Sequence, residues 1–483
     1  MSIELLNQKK GPEISKYIYG QFSEHLGHGI YGSLYVGNNS DIPNVNGMRS
    51  DVVDALKQIH VPVLRWPGGL FADTYHWQDG IGPKDTRKKI VNTNWGDVTE
   101  DNSFGTHEYF ELLRQLGADA YINANIGSGT VQEMAEWVEY MTMAGESPMS
   151  KLRQNNGRQD PWKLKFFGIG NESWGGGGNM RPEYYSDVYR QYQTFLPQYD
   201  KDHPIYKVAC GPNEADYNWT DTVMKLAGQY LDGISLHYYT LPTGKWGWDK
   251  GDATDFPEDQ WQSTMVRAKH MDELITKHST IMDHYDPDHK VDLIIDEWGT
   301  WYDVTEGTNP GFLQQQNTIR DAMVAAITLN IFHKHADRVH MANIAQMVNV
   351  LQAMILTKGD KMIKTPTYYV FNMYQKHMDA ELVEGVGDVP ENVTYTASQK
   401  NGQLTISITN YDLTDEKTVD FTEANAYNQI ESATILTGEE MDAHNTFENP
   451  DVVKEAKFEG ATLVDGKLLL ELPAKSVVTI TLK

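Results

Sequence analysis

The chain is poor in cysteine. Cys210 is the only one in 483 residues, so no disulfide can form within the chain and nothing advertises an oxidising compartment. Its setting, Lys207-Val208-Ala209-Cys210-Gly211-Pro212, reads as a small buried apolar residue rather than a reactive thiol. Positive charge is short as well: 41 Lys and Arg against 67 Asp and Glu leave a formal charge of -26. That balance disfavours nucleic acid and anionic membrane as partners and calls for a substrate without strong negative charge. No apolar run approaches the roughly 20 residues that span a bilayer. The first ten residues, Met1 to Lys10, lack the apolar core and small-residue cleavage site of an export signal, so a soluble, cytoplasmic protein is expected. The histidines form no close-spaced ligand set, and His25-Leu26-Gly27-His28 is a weak match to any metal pattern, so no metal and no cofactor is expected. Internal repeats of fixed period and low-complexity linkers are also lacking.

Tyrosine, tryptophan and glycine are plentiful. Aromatic faces stack on sugar rings and glycine lets backbone approach hydroxyls, a composition that suits a carbohydrate site without requiring one. Eight short apolar segments, at 17–22, 61–66, 120–126, 164–169, 208–211, 234–239, 293–296 and 339–346, end in polar or aromatic residues and have helical patterns between them. Helix after strand, repeated, implies parallel pairing, and eight strands close a (β/α)8 TIM barrel. Start signals support the helices: Val52, Val53, Leu56 and Ile59 at helical spacing, a Thr130-to-Glu133 capping pattern, and Pro182 as the first residue of a helix toward Leu196. Beyond a helical stretch at 366–377 the pattern changes. Strand-like runs at 404–409, 430–436, 468–472 and 477–482, with Lys400-Asn401-Gly402 as a turn, read as an all-β sandwich. The expected architecture is α/β, with a catalytic barrel over 16–378 and a β-sandwich over 379–483 joined by a strand from 1–15.

Two of the eight segments share a shape. One runs into Gly170-Asn171-Glu172-Ser173-Trp174, the other into Glu297-Trp298-Gly299-Thr300-Trp301. A lone strand-terminal Glu is more often a solvated end or an ion-pair partner. Two of them at the carboxyl ends of barrel strands are what glycosidic bond cleavage needs, one to protonate the leaving oxygen and one to attack the sugar. Glu297 is the candidate nucleophile and Glu172 its partner.

Other strand ends on the same rim supply polar groups. Glu24 either hydrogen-bonds sugar hydroxyls or pairs with Arg65, and the two roles are compatible. The Pro67-Gly68-Gly69 turn brings backbone close to a ligand, with Arg65 below it orienting carboxylates. Asn171 is placed for the sugar hydroxyl beside the acid, against a local turn-forming role. His237 or Tyr239 can hydrogen-bond the nucleophile and keep it ionised, against a core histidine with a satisfied partner. Gln346 can reach a ring hydroxyl. Trp95, and a long loop from Trp246 and Trp248 to Trp261 that can act as a lid, put indoles on the rim side, with ordinary packing as the rival reading.

The motifs Gln21 to Gly27, Arg65-Trp66-Pro67-Gly68-Gly69, Phe71 to Trp77 with Asp79 to Pro83, Phe104-Gly105-Thr106, Gly168 to Glu172 and Ala342 to Gln346 together resemble glycoside hydrolase family 51, the α-L-arabinofuranosidases. The likeness covers nearly the whole chain. It implies a jelly-roll type of sandwich and exo-acting, retaining hydrolysis of terminal α-L-arabinofuranosyl residues from arabino- or arabinoxylo-oligosaccharides. Carried onto this sequence, the acid/base falls on Glu172 and the nucleophile on Glu297. Sugar contacts fall on Glu24, Asn171, His237, Tyr239 and Gln346, and aromatic walls on Trp95, Trp248 and Trp301. An intracellular homo-oligomer, commonly a hexamer, is implied too. One position departs: where many relatives carry an Asn or Cys facing the furanose, this chain has Leu70. Another retaining barrel glycosidase, of xylosidase or endo-xylanase type, would share the two carboxylates, and a non-catalytic sugar-binding protein would keep the pocket.

Overall fold

The computed structural model describes residues 1–247, 249–422 and 427–483. Among these residues eight parallel strands close on themselves: β1 (Gly20–Phe22), β2 (Val63–Trp66), β3 (Asp119–Ala124), β4 (Phe166–Ile169), β5 (Tyr206–Ala209), β6 (Gly233–Thr240), β7 (Asp292–Thr300) and β8 (Val339–Ile344). β8 returns to β1 through the pairs Asn343–Gly20 and Ile344–Gln21. Each strand is followed by a helix, in order α1 (Ser50–Gln58), α2 (Thr106–Leu116), α3 (Val131–Thr142), α4 (Pro182–Phe195), α5 (Tyr217–Ala227), α6 (Glu258–Tyr285), α7 (Ile319–Lys334) and α8 (Pro366–Tyr374).

Local chemistry explains several of these boundaries. Thr130 Oγ1 accepts from Glu133 N at 3.1 Å and starts α3, but the Glu133 carboxylate goes to His76 Nδ1, at 2.9 Å, instead of returning to the cap. Pro182 opens α4 at a position whose N–H would be unpaired in any case. Residues 17–19, read above as strand, form part of a 3-10 turn, Lys16–Tyr19, which the Ser15 hydroxyl caps. The first barrel strand therefore begins only at Gly20, where a side chain would strike Asn343 Nδ2 at 2.4 Å.

The barrel is filled in layers. Near its amino-terminal end Tyr17, Val63, Tyr121, Phe166, Val208, Ile294 and Met341 form an apolar plug. Two residues further along β2, β3, β7 and β8 the inward positions turn polar, as Arg65, Asn123, Asp296 and Asn343. β7 then departs from strict alternation. Its pairing with β6 steps from Ser235–Ile294 to His237–Glu297, and its pairing with β8 from Ile295–Ala342 to Trp298–Ile344. Both neighbours thus see one extra residue in β7, a bulge that turns the consecutive Asp296 and Glu297 both inward. The strand also runs on to Thr300, so Glu297 lies within it rather than beyond its end.

Apart from three two-stranded ribbons, the remaining strands form a five-stranded and a seven-stranded sheet that pack around Ile3, Ile406, Phe421, Leu470, Val478 and Ile480. The N-terminal segment gives Ser2–Leu5 to one sheet and Glu13–Ile14 to the other. Asn401 and Gly402, at φ 52° and 78°, make the two-residue turn of a hairpin closed by Lys400 and Gln403. α7 is buried from Ile319 to His333 because barrel and sandwich enclose it. On one side Phe332 meets Trp298 edge-on at 5.3 Å, and on the other Asn330 and His333 bond Thr394 and Thr396, each at 3.1 Å. No helix among the described residues is long and apolar enough to cross a membrane.

Candidate active site

At the carboxyl-terminal mouth of the barrel a cavity of about 320 Å³ is lined by residues from nearly every strand end, Glu24, Asn171, Glu172, Tyr239, Glu297 and Gln346 among them. The two candidate carboxylates face each other here. One oxygen of Glu172, one of Glu297 and a ring nitrogen of His237 all lie within 4.8 Å of one another.

A hydrogen-bonded ring fixes them. Arg65, fully buried, donates to Glu297 Oε1 at 2.9 Å and to Asn171 Oδ1 at 2.6 Å, and its Nε lies 3.6 Å from Asp296 Oδ2. Tyr239 donates its hydroxyl to the other Glu297 oxygen at 2.9 Å. His237 Nδ1 lies 2.9 Å from Glu172 Oε1 and 3.6 Å from Glu297 Oε2, while Nε2 meets Asp296 Oδ1 at 2.8 Å. Glu24 Oε1 accepts from the Gly69 and Phe71 amides, each at 3.0 Å, and Oε2 from Gln346 at 3.1 Å. Gly69 has to be glycine, since a Cβ there would sit 2.7 Å from Glu297 Oε1.

The electrostatics follow from burial and pairing. Glu172 is raised above the usual carboxylate range, first by loss of hydration and then by the nearby Glu297, with the His237 hydrogen bond acting in the opposite sense. Glu24 is pushed up to about 7, by burial and then by Glu297. Asp296 goes the other way: burial would raise it, but Arg65, His237 and the Tyr121 hydroxyl outweigh that and hold it low. His237 loses hydration too, yet Glu297 and Asp296 together lift it to about 10. Burial drives the Cys210 thiol up to about 12, consistent with an inert packing residue.

Most of the expected site residues meet at this cavity, with corrections. Glu24 makes no direct ion pair with Arg65, whose guanidinium is taken up by Glu297, Asn171 and Asp296; backbone amides and Gln346 hold Glu24 instead. Of the imidazole and phenol offered as partners for Glu297, the Tyr239 phenol makes that hydrogen bond, and the His237 imidazole bonds Glu172. Trp95 and Trp301 line the cavity, Trp301 packing edge-on against Tyr239 at 5.0 Å. Trp248 lies outside the described residues. Its neighbour Trp246 lines the mouth, half exposed, edge-on to Trp301 at 5.3 Å. Trp261 is not on the rim: it is buried in α6, and its indole N–H donates to Tyr411 O at 3.0 Å, fastening barrel to sandwich. Leu70 reaches the cavity and packs on Gly176, where a Cβ would come within 2.6 Å of it.

The sequence reading missed Asn213, Leu313 and Leu351 in the cavity wall and Asp296 beneath it. The two leucines follow β7 and β8 in loops with no regular pattern. Asp296 was legible only as a neighbour of Glu297, and alternation puts neighbours on opposite faces.

As a metal-binding set, Glu172, His237 and Glu297 are close enough in space. Their chemistry fits poorly, because carboxylates facing both imidazole nitrogens favour the cation, and a protonated Nδ1 has no lone pair to give.

Residues 55–258 match the family model "Alpha-L-arabinofuranosidase 1 domain" and residues 296–476 match "Alpha-L-arabinofuranosidase C-terminal domain", the latter beginning one residue before Glu297. The chain is 52% identical over 483 residues to an "Intracellular exo-alpha-L-arabinofuranosidase" of Bacteroides ovatus, covering 97% of this chain and 93% of that one. Its fold superposes on the crystal structure of the GH51 arabinofuranosidase from Xanthomonas axonopodis pv. citri with a TM-score of 0.97 and 47% identity, covering 100% of this chain and 99% of that one. An α-L-arabinofuranosidase from Thermotoga maritima, solved as an arabinose complex, gives a TM-score of 0.84 at 31% identity, with 99% of each chain covered. Barrel and sandwich agree with these matches, and the chain belongs to glycoside hydrolase family 51, the α-L-arabinofuranosidases.

Proposed function

We propose that the chain is an exo-acting α-L-arabinofuranosidase that cleaves terminal arabinofuranosyl residues with retention of configuration. The observation that carries this is the approach of Glu172 and Glu297 oxygens to within 4.8 Å. Retention by double displacement uses carboxyl groups about 5–5.5 Å apart, whereas inversion needs about 6.5–9.5 Å to admit a water between them.

In the first step Glu297 attacks the anomeric carbon, the bond to the leaving oxygen breaks, and Glu172 gives that oxygen its proton. In the second, water attacks the same carbon, Glu172 takes a proton from it, and the bond to Glu297 breaks. Burial and the nearby Glu297 favour the protonated form of Glu172, the form that can give its proton to the leaving oxygen. Asn171 Nδ2 is buried in the cavity wall without a partner among the described residues, which suits it to the role of donor to a hydroxyl beside the reacting carbon. Glu24 and Gln346 hold further hydroxyls, and Trp95, Trp301 and Trp246 form aromatic walls. At about 320 Å³ the cavity stands at the small end of ligand sites, which favours one terminal sugar over a long chain threaded through.

The substrate is then an arabinose-containing oligosaccharide. The Bacteroides ovatus relative is named an intracellular exo-α-L-arabinofuranosidase, which supports an intracellular setting and hence short imported chains. A homo-oligomer, with a hexamer as the family's common form, is supported by resemblance and checked by light scattering of the purified protein. The central test is Glu297→Ala assayed on aryl α-L-arabinofuranoside beside aryl pyranosides: furanoside turnover should vanish, and its survival would overturn the assignment.

A further inference from the structure

Asp296 is the carboxylate nearest the reacting pair that no step above uses. It is buried, and both its oxygens are occupied, Oδ1 by His237 Nε2 at 2.8 Å and Oδ2 by the Tyr121 hydroxyl at 2.8 Å with Arg65 Nε at 3.6 Å. His237 in turn meets a carboxylate at each nitrogen and lies between Glu172 and Glu297, 2.9 Å from one and 3.6 Å from the other. We propose that Asp296 is a positioning residue that keeps His237 an imidazolium, so that one fixed positive charge faces whichever of Glu172 and Glu297 is ionised in each half of the cycle. The inference rests on the double displacement proposed above.

The charges require it. Before the first step the buried cations are Arg65 and His237, the anions Asp296 and Glu297, and Glu172 is neutral. After it Glu297 is an ester and Glu172 an anion, having passed its proton to the leaving group. The negative charge has moved from one side of His237 to the other, and the sum over these five groups is zero both times, with Glu24, which is pushed up to about 7, neutral below that pH. Deprotonated at His237, the same buried site would carry an uncompensated charge throughout. His237 gives up no proton in either step; its Nδ1–H occupies Glu172 Oε1 and leaves the acidic proton to Oε2. The groups around the ring come from five elements: Glu172 after β4, Asp296 and Glu297 on β7, Arg65 on β2, Tyr121 on β3 and Tyr239 on β6. Of these, Asp296 alone is an anion whose charge does not change during the reaction, so it alone can hold the imidazolium constant.

Asp296→Asn tests this, because an amide fills the same space and can still donate to Nε2. Nitrogen-15 chemical shifts of labelled histidine, assigned by difference from His237→Gln, should show His237 doubly protonated in the wild type from pH 5 to 8 and neutral at pH 7 in Asp296→Asn. The basic limb of kcat/KM should move up by about one pH unit or more in that variant, since Glu172 has lost a neighbouring cation, with KM for an aryl substrate little changed. A limb that stays put or moves down, or a neutral ring in the wild type, would overturn the proposal. Tyr121→Phe keeps the Asp296 charge and should move the limb less; equal movement would count against a charge effect. The wild-type shifts answer even if Asp296→Asn does not fold. They answer equally if Glu297→Ala keeps turnover, which would refute the mechanism but not the charge state of His237.

Discussion

Replacing Glu172 by alanine separates the two roles proposed for it, acid and base. A positioned general acid supplies about 10²–10⁴-fold, equivalent to about 3–5 kcal/mol of barrier at 1.36 kcal/mol per decade. That contribution matters only when the leaving oxygen needs a proton. With a dinitrophenyl leaving group, kcat/KM of Glu172→Ala should stay within about tenfold of wild type, whereas with an alkyl or sugar aglycone it should fall by the whole 10²–10⁴. kcat should drop on the activated substrate too, because the second step has lost its base and the glycosyl-enzyme accumulates. The vacated space beside His237 Nδ1, which Glu172 Oε1 fills at 2.9 Å, admits a small anion. Azide should therefore raise kcat and give an arabinofuranosyl azide of retained configuration. The assay is release of dinitrophenolate and of methanol from paired substrates, with the azide product read by NMR. Equal losses on both substrates, or an azide of inverted configuration, would refute the acid role.

Burial of Glu24 has a price in stability. Its pKa is raised from 4.5 to about 7, so its contribution is full below pH 4.5 and is lost as pH rises through 7, amounting to about 3 kcal/mol at completion. In Glu24→Gln the loss of melting temperature between pH 4.5 and 8 should be correspondingly smaller; an unchanged pH dependence contradicts the burial argument. His377, between barrel and sandwich, is depressed from 6.5 to about 3 by burial, so it stabilises above pH 6.5 and ceases to as pH falls toward 3. His377→Asn should therefore reduce the slope of unfolding free energy between pH 6 and 4 by about 1.4 kcal/mol per pH unit, measured by urea titration. Trp246→Ala removes an edge-on neighbour of Trp301 at the cavity mouth and should cost about 0.5–1.5 kcal/mol, two- to tenfold in kcat/KM, on an arabino-oligosaccharide. An equal loss on a methyl arabinofuranoside would mean that Trp246 acts on the terminal sugar and not on the unit beyond it.

The barrel was legible because its strands are buried on both faces and so read as short apolar runs ended by polar rim residues. All eight observed strands overlap the expected segments, and the helix starts at Thr130 and Pro182 lie where capping chemistry put them. The failures are equally physical. Residues 17–19 are apolar enough for a strand, but the Ser15 cap, two residues from the amide it accepts, and the close approach of Asn343 to Gly20, which is not local in sequence, set the boundary later. Trp261 and Trp246 sit in one loop-to-helix segment, and residue type cannot say which indole faces the sugar. The helix decides it, turning Trp261 inward to meet Tyr411 from the sandwich.

The site was legible as residue types and not as pairings. Partners such as Arg65 and Glu297 are 232 positions apart, and hydrogen bonds over such distances are fixed by barrel register alone. The bulge in β7 shows how much turns on that register. With strict alternation Asp296 would point into the barrel and Glu297 out toward the helices, and the proposed nucleophile would be lost to the core. One extra residue brings both carboxylates inward, and it also obliges the fold to supply Arg65 and His237 as cations for two adjacent buried anions. The charged pair at the centre of the site is thus a consequence of how Glu297 is delivered, since a strand that presents two successive acids to one interior has to neutralise the first to make use of the second.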